Sequence, residues 1–173
     1  MVKNHNCINS SYFCHHFAKP PFSLSLSELI ISECTEITGN GLSKFCTRIG
    51  KRLEYIDVSH CKALTDNPMK TLAYNCRKLK SINIAGCWRL KDATIYGIAS
   101  SCRDIEMFDI SGCYYMTDGV LKHFAKLKRL NLLIMKFCRN ITSVGYHKIS
   151  NSVPEVYYSA FKNCGPAPKF GHF

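Results

Sequence analysis

Eleven cysteines and seven histidines among 173 residues are the side chains best able to do chemistry in this chain. Thiolates and imidazoles bind zinc, act as nucleophile and base, or, for thiols, pair as disulfides. Spacing chooses among these uses. Cys34, Cys61, Cys87, Cys113 and Cys138 follow one another at intervals of 25 to 27 residues, and Cys76 and Cys102 each stand three residues before the apolar residue, Leu79 or Ile105, that opens the next interval. Cysteines held to one phase of a repeat behave as small buried hydrophobes. An odd total without a secretion signal also disfavours full pairing, so reduced, structural thiols are expected. Cys7, Cys14, His15 and His16 cluster near the N-terminus, but their spacing fits no standard zinc module. His60, His123 and His147 are expected at the surface. No nucleophile–base–acid set, phosphate loop or metal spacing stands out. Neither catalytic residue, metal nor cofactor is expected, and the chain reads as a non-enzyme.

The elements that place these cysteines are short. Each phased cysteine closes a nine-residue stretch: LSELIISEC (26–34), LEYIDVSHC (53–61), LKSINIAGC (79–87), IEMFDISGC (105–113) and LNLLIMKFC (130–138). Apolar residues alternate near the middle of each stretch, as in a half-buried strand. Between the stretches, apolar residues recur at helical spacing, for example Leu42, Phe45 and Ile49. Thr38 is a suitable helix N-cap, as is Thr65 or Asp66 in the next repeat, with Pro68 in the first turn. Val144 and Ile149 are the expected core residues of the last helix. Five strand–helix copies at this period predict an α/β leucine-rich-repeat solenoid, a horseshoe arc with about five parallel strands on the concave face and helices on the convex face. Residues 1–23 are expected as an irregular leader, 24–150 as the repeats, and 151–173 as an irregular tail or cap, in which 153–157 could begin a sixth turn. The abrupt first repeat suits a piece of a longer array.

No apolar run approaches the roughly 20 residues needed to cross a bilayer, and no membrane association is expected. A cytosolic, reducing compartment is the expectation. A formal charge of +11 invites a nucleic-acid reading. However, no aromatic stacking motif, helix-turn-helix or zinc-finger spacing accompanies it, so nucleic acid is not an expected partner. The cations gather near predicted helix C-termini, as Lys44, Arg48, Lys51 and Arg52, then Arg77, Lys78 and Lys80, then Lys122, Lys126, Lys128 and Arg129. The helix dipole favours that placement, and repetition could also form a basic edge for an acidic filament.

Alternation puts one residue per strand at the centre of the concave face: Ile30, Asp57, Asn83, Asp109 and Ile134. Tyr55, Ser81, Met107 and Leu132 flank that row. Two uses fit. Asp and Asn could order the strands through local hydrogen bonds. Alternatively, the row is a contact strip for a basic or amide-rich protein segment, with Tyr55, Met107, Leu132 and Ile134 as apolar anchors. On the second use, charge reversal at Asp57 and Asp109 should weaken partner binding and leave folding intact.

The whole unit, L-x-x-L-x-[IV]-x-x-C followed by [LMI]-T/K-D-x-x-[LIM], resembles the C-terminal repeats of F-box/leucine-rich-repeat proteins, over roughly residues 24–150. LEYIDVSHCKALTD, LKSINIAGCWRLKDATI and IEMFDISGCYYMTDGVL look most like family members of the axonemal nexin–dynein regulatory complex. The segment Pro166-Ala167-Pro168-Lys169-Phe170-Gly171-His172 is similar to the short segment that follows those repeats. The resemblance implies a non-catalytic scaffold for ciliary motility, with dynein regulatory complex subunits as partners and the cilium axoneme as location. The alternative it implies is the substrate-recognition region of an SCF-type ubiquitin ligase receptor, with a ubiquitination substrate as partner. No F-box pattern lies in residues 1–173, so ligase recruitment does not follow from these residues.

Overall fold

In the computed structural model, which describes residues 2–3 and 26–159, the alternation within each nine-residue stretch becomes a parallel strand with a buried centre. The strands are β1 (Val2–Lys3), β2 (Glu28–Ile30), β3 (Tyr55–Asp57), β4 (Ser81–Asn83), β5 (Met107–Asp109), β6 (Leu132–Lys136) and β7 (Glu155–Ser159). They form one seven-stranded parallel sheet in sequence order. The helices are α1 (Gly39–Ile49), α2 (Asp66–Asn75), α3 (Asp92–Ser101), α4 (Leu121–Phe124) and α5 (Ser143–Ser150). A 3-10 turn, Asp118–Val120, leads into α4. Repeat four is the shortest interval, and its helix shrinks to one turn.

Two strands exceed the expected five. Val2–Lys3 pairs with β2, although the repeat spacing places the leader outside the array. Glu155–Ser159 pairs with β6 over five residues, within the stretch expected as an irregular tail. Val153 takes the leading apolar position there, 3% exposed. Pro154 precedes the strand, where its missing N–H takes nothing from the ladder. Cys7, Cys14, His15, His16 and residues 160–173 lie outside the described residues.

The core lies between the sheet and the helices. Leu29, Ile56, Ile82, Phe108 and Leu133 are fully buried from the strands. Leu42, Phe45, Leu72, Ile95, Ile98 and Phe124 meet them from the helices. Phe108 and Phe124 meet edge to face at 5.2 Å between ring centroids, a favoured geometry for aromatic pairs. Leu127 is buried at the position that Cys76 and Cys102 hold in earlier repeats. Val144, expected in the core, is 62% exposed; Gly145 and Ile149 take the inward face of α5 instead.

Strands β2 to β5 leave the sheet through tight turns closed by the cysteine N–H, as in Cys87 N–H to the Ile84 carbonyl at 3.1 Å. The residue before each phased cysteine has φ near +60 to +70°, namely Glu33, His60, Gly86, Gly112 and Phe137. That is the third position of a type II turn, which requires positive φ. Gly86 has a second reason to be glycine, since a Cβ there would collide with the His60 imidazole.

The cysteine thiols then join one repeat to the next. Cys61 Sγ donates to the Ile31 carbonyl at 3.1 Å, Cys87 to Val58 at 3.1 Å, Cys113 to Ile84 at 3.3 Å and Cys138 to Ile110 at 3.1 Å. These four carbonyls also accept their own turn's N–H, so the thiol uses the second lone pair. Cys102 Sγ reaches the Cys76 carbonyl at 3.3 Å in the same way at the helix ends.

A third ladder explains the Thr/Lys-Asp pair of the repeat. Asp66 accepts from the Lys91 N–H at 3.0 Å and from Thr94 Oγ1 at 2.6 Å. Asp92 takes the Thr117 N–H at 2.9 Å and hydroxyl at 2.6 Å, and Asp118 takes those of Thr142 at 2.8 and 2.6 Å. Thr38, Thr117 and Thr142 cap their own helical segments through their side chains, whereas Thr65 holds the N-cap position without a side-chain bond. Asp66, also considered as a cap, is the first residue of α2 and serves the next repeat instead. Asp92→Ala removes two charge-assisted bonds, to the Thr117 N–H and hydroxyl, so it should cost about 1–2 kcal/mol. The expected fall in Tm is roughly 2–8 °C, and an unchanged melting curve would exclude a stabilising role for this ladder.

Candidate protein-binding face

The open side of the sheet is built by the register. Tyr55 lies beside Ser81, Ser81 beside Met107 and Met107 beside Leu132, while Asp57, Asn83, Asp109, Ile134 and Tyr157 form the adjacent row. All eight expected contact residues therefore share this face. Tyr55, Asp57, Ser81, Asn83, Met107, Asp109, Leu132 and Ile134 are each half-buried, as expected when neighbouring side chains stand about 4.8 Å apart.

The polar part of the row is occupied with its own backbone. Asp57 Oδ1 accepts from the Ser59 N–H at 2.8 Å and the Ser59 hydroxyl at 2.6 Å, and Asp57 Oδ2 accepts from Asn83 Nδ2 at 3.0 Å. Asn83 Oδ1 takes the Ala85 N–H at 3.0 Å, and Asp109 Oδ1 takes that of Ser111 at 2.8 Å. Side chain to N–H two residues on is the Asx-turn arrangement, which here starts the turn into each cysteine. Charge reversal at Asp57 would remove three hydrogen bonds, one to the nearly buried Ser59 hydroxyl. Against the expectation that such a change leaves folding intact, these bonds make the Asp57 carboxylate part of the fold, so its reversal is expected to cost stability as well. Burial raises the pKa of the neighbouring Tyr55 hydroxyl, with smaller contributions from Asp57 and Glu28. Ser81 Oγ lies 3.2 Å from Met107 Sδ.

The C-terminal end of the face is different. Met107, Leu132 and Ile134 lead to Tyr157, 51% exposed, and Phe137 beside the sheet edge is 53% exposed. Lys136 Nζ stands 5.6 Å from the Tyr157 ring centroid. Neither Tyr157 nor Phe137 is among the contact residues expected from the sequence. Tyr157 is legible in principle, since Val153-x-x-Val156-x-Tyr158 repeats the strand pattern and places Tyr157 in phase with Ile134. Phe137 carries no such signal, because its position is set by the turn. The buried thiols cannot serve as ligands or nucleophiles while they donate to carbonyls. Burial pushes those of Cys61, Cys87, Cys102 and Cys138 up to about 12.

The sequence matches no family model and no curated protein. Solved structures are similar in fold. A chain in the crystal structure of the yeast Rad7–Elc1 complex superposes with a TM-score of 0.67 and 19% identity, covering 75% of this chain and 32% of that one. The present chain thus spans about a third of that relative. The tropomodulin C-terminal domain of Caenorhabditis elegans superposes with a TM-score of 0.64 and 11% identity, covering 84% of this chain and 92% of that one. The fold is that of leucine-rich-repeat domains. Among the described residues, no helix is long and apolar enough to cross a membrane.

Proposed function

We propose that the chain is a non-catalytic protein-interaction module that holds a partner segment along the open sheet face. The observation that carries this reading is the apolar strip of Met107, Leu132, Ile134 and Tyr157, which is partly exposed and continuous with the polar row of Tyr55, Asp57, Ser81, Asn83 and Asp109. Aromatic and aliphatic anchors beside polar groups are the usual composition of an interface centre and rim. In this reading the apolar end supplies affinity. Asp109, with one carboxylate oxygen left over from its turn, Ser81 and Tyr55 supply polar contacts. The similar yeast chain belongs to a protein complex, that of Rad7 with Elc1, which is consistent with an interaction role.

The more specific reading is a scaffold of the nexin–dynein regulatory complex in motile cilia, supported by the repeat resemblance alone. Ile134→Ser combined with Tyr157→Ser tests both levels. Anchor residues contribute roughly 1–2 kcal/mol each, so the double variant should weaken partner binding by at least about tenfold, with circular dichroism of the folded protein unchanged. Dynein regulatory complex subunits should co-purify with the wild type and be lost with the variant. Retention by a folded variant would sink the face assignment. Co-purification of an SCF adaptor, cullin and a ubiquitinated substrate in their place would overturn the ciliary reading and favour the ligase receptor.

A further inference from the structure

A second surface lies on the edge of the sheet where the helices return to the strands. Two residues before each leading apolar residue, Leu53, Leu79, Ile105 and Leu130, stand Lys51, Arg77, Arg103 and Lys128. All four are exposed. The backbone just beyond them is bonded from repeat to repeat, Lys80 N–H to the Glu54 carbonyl at 2.8 Å, Glu106 to Lys80 at 2.7 Å and Asn131 to Glu106 at 2.8 Å. The four cations are therefore spaced by the sheet itself, at about 4.8 Å per repeat along the backbone.

Helix-dipole compensation accounts for only part of this row. Arg77 Nε donates to the Tyr74 carbonyl at 3.2 Å, as a C-terminal cap would. Among the described residues, the side chains of Lys51, Arg103 and Lys128 make no hydrogen bond or ion pair. Two carboxylates of the same edge are already engaged, Glu54 with Lys80 at 2.7 Å and Asp104 with Arg129 at 3.2 Å, and a third, the exposed Glu106, acts electrostatically on Lys80, so the edge stays strongly basic. Lys51, Tyr74, Asn75, Arg77 and Lys78 also surround an open depression of about 390 Å³ with no carboxylate in its wall. A row of like charges this close repels itself, and an anionic partner relieves that repulsion.

We propose that this edge docks an acidic helix of a protein partner, whose carboxylates recur every three or four residues. Side chains at that spacing on a helix are about 5–6 Å apart, close to the repeat spacing of the cations, so one Asp or Glu can meet each repeat. Single-stranded nucleic acid fits less well because it needs aromatic faces for its bases. Tyr74 is the aromatic residue of the depression, 68% exposed with the Arg77 guanidinium 5.2 Å from its ring centroid, and a single ring does not stack successive bases. This edge is separate from the open face and does not depend on the reading of that face.

The test is fluorescence anisotropy of the full chain with a labelled alanine-based helix carrying Glu at every fourth residue. Arg103→Gln combined with Lys128→Gln removes two charges whose side chains make no hydrogen bond or ion pair among the described residues. With roughly 0.5–1 kcal/mol per exposed pair, affinity should fall about fivefold to thirtyfold. Lys62→Gln combined with Lys91→Gln removes the same charge from the opposite edge and should leave affinity within about twofold. Binding should also weaken as salt rises from about 0.05 to 0.3 M. Equal losses in the two double variants would overturn the proposal in favour of net charge alone. So would an absence of binding to the Glu helix, or tighter binding to a single-stranded oligonucleotide.

Discussion

Iodoacetamide added to the native protein near pH 8 should leave Cys61, Cys87, Cys102, Cys113 and Cys138 unmodified, under conditions that label all of them after denaturation. The thiolate is the reactive species, and burial holds four of these thiols near a pKa of about 12 against an ordinary 9.0. Burial also raises that of Cys113 well above 9.0. Three pH units lower the thiolate fraction about a thousandfold, before steric exclusion is counted. The same shift makes stability depend on pH. Below pH 9 both folded and unfolded chains hold these protons, so the stabilisation is fully present. Between about 9 and 12 the unfolded chain alone loses protons, and stability falls as pH rises, by at most about 1.4 kcal/mol per thiol per pH unit. Mass spectrometry of peptides from native and denatured labelling reads the first effect, and denaturant titrations across pH 8 to 11 read the second. Native labelling at the denatured rate would show that the thiol ladder does not form.

Phe108→Ala should destabilise the chain by about 3–5 kcal/mol, the cost of emptying a large buried aromatic site. Phe108 is fully buried at the centre of β5, and its partner Phe124 belongs to the one-turn helix α4. That repeat has little helix of its own to collapse into the cavity, which places the expected loss toward the upper end. At roughly 2–4 °C per kcal/mol, Tm should fall by about 6–20 °C. In a solenoid each repeat contacts only its neighbours, so the loss should be felt on both sides of β5 at once. Thermal and urea unfolding of the variant check this, and a loss below about 1 kcal/mol would contradict the packing described for Phe108.

These two effects concern residues whose inward role is legible in the amino-acid order alone. Leu79, Ile82, Ile84 and Cys87 alternate and recur at a fixed period, and burying such a pattern leaves only one face available to each residue. The α/β repeat fold, the inward cysteines and the outward row from Asp57 to Asp109 all follow from that periodicity. Three things do not. Pro154 masks β7 locally, and the strand is recognised only because Leu132–Lys136 offers it an edge to pair with. Val144 sits at a plausible helical spacing, yet α5 turns Gly145 and Ile149 inward because Asp118 and Leu121 of the preceding repeat crowd Gly145. The third is the division of labour on the open face. Asp57 and Asn83 are bonded to one another across 26 residues, as are Asp92 and Thr117 across 25. Periodicity says which way a side chain points, because that depends on its own backbone. What it meets there depends on the next repeat, and only the stacked structure decides it.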